Sequence, residues 1–106
     1  MIKFEANGKT YTAKVSYFEQ ESLRPVDGFF VPCKWTEVEI SVLENGAWDK
    51  IASGVSVCQP DDTFRKDVGR FIAAKNAMRY AYAAKAVEPS QHFAKAILNT
   101  FHNPER

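Results

Sequence analysis

From Ile2 to Val57, apolar and polar residues alternate with the period of a β-strand, and after Pro60 the apolar residues recur with the period of a helix. Ile2, Phe4 and Ala6 share one side of a first strand, and Tyr11, Ala13, Val15 and Tyr17 share one side of a second. Lys3, Glu5, Thr10, Thr12, Lys14 and Ser16 take the other side. Between the two strands stands Asn7-Gly8, a pair suited to the positive φ angles of a tight hairpin turn. The arrangement repeats around Asn45-Gly46: Val38, Ile40 and Val42 oppose Glu37, Glu39 and Ser41, and Ile51, Val55 and Val57 continue the buried set. Gly54 marks either a bulge or a close crossing by a helix. This half of the chain therefore predicts two hairpins, each with one wet face.

Residues 19–34, EQESLRPVDGFFVPCK, interrupt the alternation with two prolines and an Asp-Gly turn. The stretch reads as a long connection, and long connections in small domains are usually functional or mobile. Its adjacent Phe29 and Phe30 have two readings. They cap one end of the core, or they form an exposed apolar tip that inserts into a partner.

Pro60 closes the last strand, and Asp61, Asp62 and Thr63 are cap candidates for a helix over about 62–86, with Asp62 as the cap. Phe64, Val68, Phe71, Ala74, Met78, Ala81 and Tyr82 then fall on the side for the sheet. Gly69 within that helix suggests close approach of another backbone. Glu88-Pro89-Ser90 breaks the chain before a short second helix, whose stripe is Phe93, Ile97, Leu98 and Phe101, and residues 102–106 form a frayed tail. Together these elements predict one α+β domain over residues 1–106: a four-stranded antiparallel sheet of two hairpins packed on a long helix, with a short C-terminal helix beside it.

Composition adds bounds. The length of 106 residues suits one domain, and 45% hydrophobic content is enough for a packed core. No apolar run approaches the roughly 20 residues of a membrane span. The N-terminal stretch has no cationic segment followed by an apolar one, so no secretory signal is read and a cytoplasmic site is expected. Cys33 and Cys58 match no metal or redox spacing and read as reduced thiols. No phosphate loop, ligand-spaced histidine pair or catalytic triad is present, so neither cofactor nor enzymatic activity is expected. Asp61 and Asp62 read as capping residues in preference to a metal or acid–base pair.

Net charge is +1, yet residues 59–85 hold six basic and three acidic side chains while residues 1–58 hold six and eight. Arg65, Lys66, Arg70 and Arg79 cannot all face the core, and on the predicted helix Lys66, Arg70, Ala73 and Ala77 lie opposite Phe64. That side is either a solvated back or a binding surface centred on Arg70, with Ala73 and Ala77 as its floor. The neighbouring acids Asp61, Asp62 and Asp67 make an acidic protein patch a better ligand for it than phosphate.

The order strand, Asn-Gly turn, strand, basic helix over residues 35–86 resembles the second half of the double-stranded RNA-binding domain. The resemblance implies a phosphate-gripping role for Arg65 and Lys66. A more specific pattern is Cys58, Pro60, Asp62, Phe64, Arg65, Lys66, Gly69, Arg70, Ile72 and Ala73. It is similar to one common in small bacteriophage and prophage proteins without assigned activity. That resemblance implies a viral or mobile-element origin and action inside the host cell. The expected function is a non-enzymatic accessory or inhibitory protein, monomeric or homodimeric, that binds a host protein or protein complex. A nucleic-acid-binding module is the alternative.

Overall fold

A computed structural model describes residues 1–101; the expected frayed tail, with His102, lies outside the described residues. Strands β1 (Ile2–Ala6), β2 (Lys9–Glu21), β3 (Pro32–Glu44) and β4 (Ala47–Cys58) precede helices α1 (Lys66–Ala83) and α2 (Gln91–Thr100). The four strands form one antiparallel sheet in chain order, so the fold is α+β with helices on one face. Among the described residues no helix is long and apolar enough to cross a membrane.

The sheet is a meander of three hairpins, one more than the alternation predicts. β2 and β3 pair without interruption from Tyr11–Val42 to Glu21–Pro32, so both ends of the expected long connection, residues 19–21 and 32–34, are strand and only residues 22–31 connect them. The alternation fails on the β2 side because residues 17–21 are exposed on both faces, while on β3 Cys33 and Trp35 stay buried. The distal part projects as an arm. It lengthens the molecule to 48 Å along its longest axis and raises the radius of gyration to 14.9 Å, against about 13 Å for a compact domain of this size. The turns Asn7-Gly8, Asp27-Gly28 and Asn45-Gly46 all hold positive φ at both residues.

β4 contains a bulge: Ile40 pairs with Ala52 and Ser41 with Lys50, so Ile51 is an extra residue. The insertion shifts the face of everything beyond it. Ile51 packs on the core, whereas Val55 and Val57 lie opposite Glu37 and Trp35, on the face away from the helices. This corrects the expectation that all three share the buried side. Gly54 is not the bulge but the crossing point.

α1 lies over β4 and β3 on a stripe of small residues, Gly69, Ala73, Ala77 and Ala81, all buried. A Cβ at Gly54 would run into the backbone of Ala73, Asn76 and Ala77, so only glycine lets the helix sit this low. Asn76 Nδ2 adds a 2.9 Å hydrogen bond to the Val55 carbonyl. Phe71, Met78 and Tyr82 pack from one flank and remain partly exposed. These large residues, expected on the sheet-facing side, do not form its centre. The centre instead belongs to alanine and glycine, because low packing leaves no height for aromatic rings.

α1 starts at Lys66, later than expected, and Asp62 does not cap it. Asp62 N–H bonds the Gln59 carbonyl in a turn, the N-cap position is Arg65, and no side chain caps the helix. Residues 63–65 run without regular structure, and Phe64 packs edge-on against Tyr17. α2 is capped by Ser90, whose Oγ accepts the Phe93 N–H at 3.1 Å and donates to Asn7 Oδ1 at 3.2 Å. Through Asn7 the cap ties α2 to the β1–β2 turn. Phe93 is wholly buried, with its ring 5.1 Å from Tyr11, 5.8 Å from Phe4 and 5.9 Å from Tyr82. This aromatic cluster is the centre of the core at the β1 end.

Candidate functional site

Ten residues, 22–31, connect β2 to β3, and hydrogen bonds hold them in two steps. At the base, Ser22 N–H bonds the Val31 carbonyl at 2.8 Å, while buried Ser22 Oγ accepts the Val31 N–H and donates to the Arg24 carbonyl. At the end, Val26 and Phe29 exchange N–H to carbonyl bonds of 2.7 and 3.1 Å around Asp27-Gly28. The φ angles of +51° and +84° at Asp27 and Gly28 fit the twist of a two-residue hairpin. The tip therefore has a defined backbone.

Its side chains face water. Phe29 is 73% exposed and Phe30 54%, with Leu23 and Val26 beside them at 70% and 40%. Neither phenylalanine caps the core. Four large apolar residues within eight positions are exposed at the far end of the arm, and nothing in the described residues covers them.

The basic residues of α1 are divided. Arg65 is held by Asp67 at 2.7 Å, and that contact keeps the Asp67 carboxyl below the usual carboxylate range. Lys66 and Arg70 turn toward the foot of the arm. Lys66 Nζ sits 4.9 Å above the Tyr17 ring, and Arg70 Nη1 donates to Tyr17 Oη at 3.3 Å. Lys34 lies 5.4 Å above the Phe64 ring, which meets Tyr17 edge-on. Arg79 is exposed, nine residues further along α1 than Arg70. Ala73 and Ala77 are wholly buried under α1 and form no surface floor. The expected patch of Arg70, Ala73 and Ala77 does not exist as one face, because 69, 73, 77 and 81 are the sheet-facing positions of the helix.

Sequence reasoning missed Tyr17 as the partner of Arg70 and Lys66. It also missed Leu23 and Val26 as members of the tip. The available signal was Asp27-Gly28 with an apolar residue on each side, the same hairpin grammar as the two turns that were read.

Both cysteines are free, Cys33 buried and Cys58 half-buried. Burial, and next the Asp62 carboxylate, push the Cys58 thiol above its ordinary value, so at neutral pH it is a poor nucleophile. An open cleft of about 320 Å³ between the end of β4 and the start of α1 is lined by Ser56, Val57, Cys58, Val68 and Ile72 among others. Thr36 Oγ1, among the residues lining it, has no hydrogen-bond partner among the described residues, and Gly69 sits so close that a Cβ there would be 2.6 Å from that oxygen. Among the described residues no group of three His, Cys, Asp or Glu side chains is placed to hold a metal ion. Compared with protein-family models, with curated proteins and with solved structures, the chain has no match.

Proposed function

We propose that the chain is a non-enzymatic binding protein that captures another protein through the tip of its β2–β3 arm. In keeping with the bacteriophage-type motif, the role is that of an accessory or inhibitory protein acting on a host protein in the host cytoplasm. The observation that carries this reading is the exposure of Phe29 and Phe30 on a hydrogen-bonded turn. A fold gains nothing from two phenylalanines in water, whereas aromatic side chains seated in a partner's apolar pocket dominate the energetics of many interfaces. A fixed backbone lowers the entropy lost when such a tip docks. The tip replaces the helix patch as the site because Ala73 and Ala77 are buried.

The test uses immobilised full-length chain and a bacterial lysate, with and without nuclease, beside the variant Phe29→Ser with Phe30→Ser. The expected result is a captured protein that survives nuclease and high salt and is lost with the double variant, while the melting temperature is unchanged. Capture that is nuclease-sensitive and falls steeply with salt, as counterion release demands, would instead make the chain a nucleic-acid-binding module.

A further inference from the structure

The outer edge of β2 is open beyond Ala13. β1 pairs with β2 only from Lys9 to Ala13, and among the described residues no strand pairs with residues 14–21 on the edge away from β3. Both helices leave this edge clear, α1 lying over β3 and β4 and α2 against β1. Exposed edges are commonly blunted by proline, by a bulge or by short length. This one has none of these: residues 11–21 pair with β3 in unbroken register, without proline, and present Val15, Tyr17 and Phe18.

We infer that the chain forms a homodimer by antiparallel pairing of this edge with the same edge of a second copy, with Phe18 on the two-fold axis. The two sheets then become one of eight strands. Symmetry restricts the register. A two-fold axis between antiparallel strands stands perpendicular to the sheet, so it must pass through a residue that faces its own copy, and both helical layers lie on one side.

Centring on Phe18 pairs residues 15–21 with residues 21–15. On the helix side, Tyr17 then faces Glu19 of the other copy and Val15 faces Glu21. Lys66 and Arg70, held over Tyr17, thereby meet the exposed carboxylates of the other copy. Among the described residues none of these four charged groups makes an ion pair within its own chain. Centring on Tyr17 would instead bring Lys66 and Arg70 against their own copies, which repels.

On the other face the Phe18 rings meet at the axis, each already stacked on its own Trp35 at 6.0 Å. Phe29 and Phe30 lie outside the paired edge, so the dimer and tip docking stand or fall separately.

Two measurements on the full chain decide the matter. Sedimentation equilibrium should show a dimer. Lys66→Glu with Arg70→Glu should raise its dissociation constant by at least about tenfold. Adding Glu19→Lys and Glu21→Lys to that variant should restore the dimer, which a merely structural defect would not allow. In a Cys58→Ser background, Phe18→Cys should form a disulfide-linked dimer under mild oxidation, since Cα atoms facing each other across an antiparallel pair stand about 4.5–5.5 Å apart. Lys3→Cys in the same background should not. A wild-type chain that stays monomeric, a dimer indifferent to the charge reversal, or failure of the Phe18→Cys cross-link overturns the inference.

Discussion

Gly54 in β4 and Ala77 in α1 lie so close that a Cβ on the glycine would overlap the alanine's backbone nitrogen. The contact sets the height of the helix above the sheet. It also explains why the buried stripe of α1 contains only glycine and alanine. Gly54→Ala should force the two backbones apart and cost about 1–3 kcal/mol, the usual range for overpacking. Chemical denaturation would measure it. An unchanged midpoint would mean that α1 does not rest on β4 at this point.

Phe93 rather than Phe71 carries the core. Phe93 is fully buried among Phe4, Tyr11 and Tyr82, whereas Phe71 is partly exposed, with Lys75 Nζ 5.6 Å above its ring. Phe93→Ala is expected to lose about 3–5 kcal/mol, and Phe71→Ala distinctly less. Thermal melts of the two variants under one buffer give the comparison, and the opposite order would refute this placement of the core.

The elements were legible because the local rules agreed with the fold. Asn7-Gly8 and Asn45-Gly46 set two turns, and alternation on each side set the inner faces of β1, β2 and β3. Two features went unread for physical reasons. Residues 17–21 of β2 are exposed on both faces, so the alternation that identifies a strand vanishes there although the strand persists. Side-chain size does not mark the buried side of a helix where a glycine in the sheet draws that helix down onto its smallest residues. Gly54 with Gly69, Ala73, Ala77 and Ala81 at four-residue spacing was the sequence signal for that packing. The site was half legible. Phe29 and Phe30 were singled out, but their exposure depends on an arm whose length appears only once β2 and β3 are paired.

Cys58 provides a pH-dependent readout of the turn before α1. Its Sγ contacts the Gln59 and Asp62 carbonyls, each at 3.6 Å, and its thiol is raised by burial first and by the Asp62 carboxylate second. A raised thiol holds its proton to higher pH, so alkylation by iodoacetamide should be slower than for an unstructured peptide thiol at any pH below the shifted value. Asp62→Asn removes a negative charge that disfavours thiolate. It should therefore lower the apparent pKa and speed alkylation at pH 8, leaving part of the shift in place because burial remains. The rate–pH profile of Cys58 in the two proteins is the measurement, with Cys33→Ser as the common background. Profiles that coincide would show that the Asp62 carboxylate does not act on the thiol and would overturn this placement of Asp62 beside Cys58.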